Sequence, residues 1–247
     1  MPSWHAKFSA SGMERTDECP GSVELSATQP DRDTPWSIEG TKAHSVLEVI
    51  EKNLISGRPW KTGVLKKVPD ATKEMFTHGL AAAKFIIGEF QKLDYCDGNS
   101  LSVETKTLLK WIHPDFGGTF DSRIIEAFGT LHIFDYKFGM TPVSPTDNLQ
   151  MVTYSVSEAY KHHWNFERAR HWIIQPRLRG YDGPVFWDCD MRELQYKWEP
   201  RLRKIIKRAL DNPKKYIEGD HCHWCKAKPV CPLKVDAKKE KARLAWG

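Results

Sequence analysis

At 247 residues, 40% hydrophobic and 28% charged, the chain is long enough for one α/β domain with a real core, and its composition excludes extensive disorder and low-complexity repeats. No apolar run approaches the about 20 residues of a membrane span, and "MPSWHAKFSASGMERT" lacks the hydrophobic stretch of a signal peptide, so the expected location is the cytoplasm. The net charge of +5 gathers late in the chain, in "RLRKIIKRALDNPKKY" and "KAKPVCPLKVDAKKEKAR", which suggests an acidic partner such as nucleic acid.

In chain order, Ala43, Val46, Leu47, Ile50 and Leu54 recur at helical spacing and predict a helix from Ser37 to Leu54 that carries His44. The loop "SGRPWKTG" separates it from a second helix, Ala71 to Leu93. Three strands then follow closely, Leu101 to Lys110, Thr119 to Ala127 and Leu131 to Lys137, and connections this short favour an antiparallel meander. "MTPVSPTDN" breaks the pattern and starts a helix from Leu149 to His162. A strand from Arg170 to Gln175, the turn "PRLRGYDGP", a short strand from Val185 to Cys189 and a basic helix from Arg192 to Leu210 complete the order. The predicted architecture is a mixed α/β fold, a central sheet flanked by helices.

The strand Leu131 to Lys137 ends unusually. Side chains alternate along a strand, so Asp135 and Lys137 share one face with Tyr136 on the other. Burying both charges is costly unless something offsets it. A hairpin with the preceding strand brings Asp121 beside Asp135, and two carboxylates at one point repel unless a cation separates them; hard oxygen donors suit Mg²⁺ or Mn²⁺. Near the C-terminus, Cys222, Cys225 and Cys231 follow a C-x2-C-x5-C spacing that points to a metal site lacking a fourth ligand. His221 or His223 supplies one locally; Cys19, followed by proline as Cys231 is, supplies a distant one. Cys96 and Cys189 read as ordinary thiols.

"EGTKAH", "GGTFD", thirteen residues, "DYK", and then "NLQMVTYS" together resemble the RecB-like branch of the PD-(D/E)XK nuclease superfamily. The resemblance implies a restriction-endonuclease-like core in which Asp121, Asp135 and His44 bind the catalytic metal with the Tyr136 carbonyl, and Lys137 is the catalytic lysine. His44 departs slightly, standing one residue further from Gly40 than the family's G-x-x-H; Glu39 is a weaker candidate beside it. Gln150 and Tyr154 match the branch's Q-x-x-x-Y pair, which lies beside the catalytic site and contacts DNA. Gln175, Arg177 and Arg179 in "QPRLRG" are further candidate DNA contacts. Several members carry a 4Fe-4S cluster on one cysteine before the core and three after it, and Cys19, Cys222, Cys225 and Cys231 match that arrangement. Such a cluster would join the chain's two ends, a staple of about 5 kcal/mol by analogy with disulfide loop closure.

The implied organisation is one nuclease domain over residues 1–247, with a core at about 37–210 and cluster-binding segments at 15–25 and 219–234. The expected activity is a Mg²⁺- or Mn²⁺-dependent DNA exonuclease serving phage recombination, repair or replication. A single-strand annealing or single-strand-binding protein is a candidate partner. The competing readings are a structure-specific endonuclease and a non-catalytic iron-sulfur DNA-binding protein.

Overall fold

The computed structural model describes residues 6–30 and 34–235; the end of the basic C-terminal run lies outside them. Its centre is a six-stranded mixed sheet built from β1 (Phe8–Ser9), β2 (Ser100–Leu108), β3 (Phe116–Ile125), β4 (Thr130–Tyr136), β5 (Arg168–Ile174) and β6 (Val185–Asp190). The helices are α1 (Met13–Glu18), α2 (Ser22–Ala27), α3 (Pro35–Ile55), α4 (Val64–Lys67), α5 (Lys73–Gln91), α6 (Leu149–Lys161), α7 (Met191–Glu193) and α8 (Glu199–Asp211). As the short connections predict, β2, β3 and β4 form an antiparallel meander. β5 lies parallel to β4 across the α6 connection, and β6 runs antiparallel to β5.

Helices cover both faces. Val46, Leu47 and Ile50 of α3 and Met75 and Ile86 of α5 pack on Phe134, Tyr136 and Trp172. On the opposite face, Val152 and Val156 of α6 and Leu202 and Ile206 of α8 pack on Leu131, Ile133 and Ile173. β4 is thus covered on both sides, which is why every residue after Thr130 is buried, including the polar His132 and Asp135.

The register creates a gap. β2 pairs with β3 from Ile125 back to Gly117 along one edge. The other edge is shared by β4, which reaches only to Ser122, and β1, which pairs at Phe116 and Gly117. Residues 118–121 of β3 are therefore left without a strand neighbour on that side. Glycines let other elements crowd in here. A Cβ on Gly117 would meet the Thr107 carbonyl at 2.1 Å, and one on Gly118 would touch Tyr154 and Ala10 at 3.1–3.2 Å.

Three features differ from the sequence reading. β1, α1 and α2 precede the predicted core, each too short to show a period. α3 begins at Pro35 because Thr34 caps it, its hydroxyl accepting from the Ser37 N–H while the Ser37 hydroxyl accepts from the Thr34 N–H. The predicted basic helix is interrupted by a π-helical turn at Leu194–Trp198, just before Pro200, whose missing N–H and ring oppose a regular α-turn. The chain's two ends meet. Asp17 of α1 pairs with Arg201 and Arg208 of α8, and the Gly21 N–H donates to the Lys215 carbonyl at 2.9 Å. No helix among the described residues is long and apolar enough to cross a membrane.

Candidate active site

The gap in the sheet opens into a cleft of about 360 Å³ lined by His44, Asp121, Asp135, Lys137, Gln150 and Tyr154, with Ser9 and Ala10 forming its far wall. Four elements deliver these groups. Asp121 comes from β3, and Asp135 from the end of β4, one pair beyond the Ser122–Phe134 register. Lys137 follows immediately, its N–H held by the Ile174 carbonyl at 2.9 Å. His44 reaches in from α3. Gln150 and Tyr154 come from α6, whose first turn is fixed by Asn148, the side chain of which accepts from the Gln150 and Met151 N–H groups at 3.0 and 3.2 Å.

The polar groups interlock. Lys137 Nζ donates to Asp135 Oδ1 and to Gln150 Oε1, both at 3.1 Å. Gln150 Nε2 in turn donates to Asp135 Oδ1 at 3.0 Å and reaches the Tyr154 hydroxyl at 3.4 Å. That hydroxyl donates to the Thr119 carbonyl at 2.8 Å, on the β3 edge that neither β1 nor β4 covers. Asp121 accepts from the Tyr136 N–H at 2.7 Å and lies 2.8 Å from His44 Nδ1. Asp135 Oδ2 sits 2.9 Å from Lys137 Nζ as an ion pair, yet outside hydrogen-bond geometry, and it is buried without a hydrogen-bond partner.

The electrostatics follow from this packing. Burial opposes charge on Asp121, but His44 beside it and the Tyr136 N–H outweigh burial and hold its pKa below the ordinary carboxylate value. For Asp135 burial prevails over the neighbouring Lys137, and its pKa is raised. Burial also opposes the Lys137 ammonium, but the Asp135 carboxylate offsets it and the pKa is raised.

Glu104 belongs to this group and was missed in the sequence. The β2–β3 register places it opposite Asp121, yet that one pair is absent from the ladder and Glu104 adopts φ +49°. Its carboxylate, His44 and Asp121 offer ligand atoms that all lie within 4.8 Å of one another. Burial and the nearby Asp121 push its pKa up to about 7. Two oxygen donors with an imidazole form a set that suits a divalent cation.

Not every candidate faces the cleft. Gln175 is buried, and its side chain organises the segment after β4, donating to the Gly139 and Thr141 carbonyls at 2.9 and 2.7 Å and accepting from the Val143 N–H at 3.1 Å. Arg177 is held between Glu39 at 2.8 Å and Glu74 at 3.1 Å, stacked over Phe138. Both therefore have internal partners where the sequence reading gave them DNA contacts. Arg179 is exposed. The Tyr136 ring is buried under α3 and α5.

Cys19, Cys222, Cys225 and Cys231 line a separate, small cavity of about 20 Å³ between the N- and C-terminal segments. The Ile217 N–H lies 3.4 Å from Cys19 Sγ. His221 also lines this cavity; its Nδ1 faces Glu18 at 2.6 Å, and its Nε2 lies 3.0 Å from the Ile217 carbonyl and 3.7 Å from Cys222 Sγ. His223 is exposed against Trp224. Cys96 is exposed, and Cys189 is a buried thiol pushed up to about 12 by burial.

A mixed sheet between helix layers, with an acidic, lysine-bearing cleft at a gap in its edge, describes the molecule. The chain belongs to the family described as "Protein of unknown function (DUF2800)", whose model matches residues 5–245. Among solved structures it is similar to that of SSO0001, at 13% identity and a TM-score of 0.39 over 87% of this chain and 95% of that one. It is also similar to a "Putative exonuclease" from Eubacterium rectale, at 13% identity and a TM-score of 0.41 over 91% and 86% of the two chains.

Proposed function

We propose that this chain is a divalent-metal-dependent DNA exonuclease of the RecB-like PD-(D/E)XK type, a single nuclease domain carrying a 4Fe-4S cluster. The observation that carries the reading is the pair of buried carboxylates, Asp121 and Asp135, sharing a cleft with His44 and Lys137, with Asp135 Oδ2 met only by the off-axis Lys137 ammonium at 2.9 Å. Two carboxylates at one point are the environment a further cation relieves. Asp121, Asp135 and His44 would hold that cation, with the Tyr136 carbonyl, and Glu104 offers an oxygen within 4.8 Å of the His44 and Asp121 ligand atoms. When bound, a divalent cation supplies positive charge where negative charge builds on a phosphodiester under attack. Lys137, steered by Gln150 and Asp135, holds the attacking water and donates toward the phosphate. Tyr154 fixes Gln150 and the open β3 edge.

For the cysteines, four thiols from both chain ends converge on one cavity. Their grouping of one cysteine before the core with three after it is the arrangement the family resemblance associates with a 4Fe-4S cluster, and the cluster belongs to this proposal on that ground.

Digestion of end-labelled linear DNA beside covalently closed circular DNA, with Mg²⁺ or Mn²⁺ and anaerobically purified protein, tests the reading. Loss of the linear substrate alone, abolished in Lys137→Ala, is the expected result. Cutting of the closed circle would replace it with an endonuclease. Cleavage of neither would reduce the protein to a DNA-binding role. Service in phage recombination, repair or replication beside a single-strand annealing or single-strand-binding protein belongs to the same proposal.

A further inference from the structure

The N-terminal segment holds a cation that meets no anion among the described residues. Arg15 of α1 is half-buried, its Nε is shielded from solvent without a hydrogen-bond partner, and among the described residues no carboxylate pairs with its guanidinium. Ser22 and Ser26 stand one turn apart on α2, 3% and 4% exposed, and neither hydroxyl has a partner among the described residues; Ser26 lines the same pocket as Arg15, and Ser22 faces the cysteine cavity. Buried hydroxyls on helices ordinarily bond back to the preceding turn, as Thr16 does here to the Gly12 carbonyl at 2.9 Å. These two serines do not.

Arg15, Ser26 and Ser9 line a polar pocket of about 510 Å³ that shares Ala6 and Ser9 with the candidate active-site cleft. The Lys7 side chain pairs with Glu24, its N–H donates to Asp115 at 2.9 Å, and Lys226 also lines the wall. With Lys7, Arg15 and Lys226 against Glu24 and Asp115, the described lining carries one more positive charge than negative. A planar fork of N–H donors beside the nearly fully buried Ser26 hydroxyl, with open volume in front, matches a tetrahedral oxyanion.

We propose that Arg15 and Ser26, with Ser9 at the junction, form a phosphate-binding subsite that grips the substrate strand next to the bond cut in the neighbouring cleft. The strand assignment rests on the nuclease reading; the anion site does not. Two sources share this chemistry, the terminal phosphomonoester of a strand end and an internal phosphodiester. Because the Cys19 N–H bonds to the Arg15 carbonyl at 2.8 Å, the subsite is tied to the cysteine cavity one helical turn away.

The test is fluorescence anisotropy of the full chain with Ca²⁺ and oligonucleotides ending in 5′-phosphate, 3′-phosphate or hydroxyls, comparing wild type, Arg15→Gln, Arg15→Lys and Ser26→Ala across a salt series. Loss of a charge-assisted contact predicts about 10- to 100-fold weaker binding by Arg15→Gln and partial retention by Arg15→Lys. A wild-type preference for one phosphorylated end that Arg15→Gln erases assigns the terminal group. Equal weakening for all ends, with a salt slope shallower by about one, assigns an internal phosphate. Should Arg15→Gln fail to fold by circular dichroism, Ser26→Ala carries the test, with about 5-fold weaker binding expected. Wild-type affinity and salt slope in the folded variants, or no binding by the wild type, overturns the proposal. Binding that Arg15→Gln weakens, by a wild type that cleaves no DNA with Mg²⁺ or Mn²⁺, would overturn the nuclease reading and leave the subsite standing.

Discussion

Tyr154→Phe isolates the one contact that closes the gap in the sheet. The substitution keeps the ring, its edge-on packing against Phe120 and its fit over Gly118, and removes only the hydroxyl. That hydroxyl donates at 2.8 Å to the Thr119 carbonyl, which has no strand neighbour on that edge of β3. Thr119 is exposed on the cleft, so water replaces the lost donor and the cost is that of one ordinary hydrogen bond, about 0.5–1.5 kcal/mol; the long 3.4 Å contact with Gln150 adds little. A loss of about 1 kcal/mol at an m-value of about 3 kcal/mol/M moves the urea midpoint down by about 0.3 M. Equilibrium urea denaturation followed by circular dichroism measures it. A midpoint unchanged within error, or raised, would refute the argument that Tyr154 substitutes for a missing strand.

Gly117→Ala forces a Cβ to within 2.1 Å of the Thr107 carbonyl, so a loss of about 3 kcal/mol in thermal or urea unfolding is expected. Burial lowers the pKa of His132 to about 4 and of His171 to about 3, against about 6.5 unfolded, so the unfolded chain binds the extra protons on acidification. Stability contributed by the neutral rings is therefore complete above about pH 6.5 and falls below it, by about 2 kcal/mol per histidine at pH 5; His171→Gln should flatten the urea midpoint between pH 7 and 5. Glu104→Gln should weaken Mn²⁺ binding about 10-fold by calorimetry while leaving the fold intact. Cys19→Ala should lose iron, sulfide and the visible absorbance of the anaerobically purified protein; zinc in the wild type by elemental analysis would contradict the cluster.

The meander and the grouping of its polar side chains were legible because both rest on local rules. Alternation in "FDYK" put Asp135 and Lys137 on one face, short turns paired the strands, and helical spacing put Gln150 and Tyr154 on one side of α6. Glu104 stayed hidden because nothing in "SVETK" signals a residue held at φ +49°; only the register opposite Asp121 shows it. Gln175 and Arg177 looked free because their partners, Gly139 and Thr141, Glu39 and Glu74, lie far off in sequence. β1 is two residues long and carries no period, yet it forms the cleft's far wall.

The central claim is that the cleft between β1 and β4 holds a divalent cation and a DNA phosphate together. Crystallising the full chain with a short oligonucleotide and Mn²⁺, in the Lys137→Ala background, and locating the cation by its anomalous scattering tests this most directly. The account predicts a cation ligated by Asp121 and Asp135 with a phosphate oxygen beside it. A cation bound elsewhere, or DNA bound with Asp121 and Asp135 untouched, would contradict it.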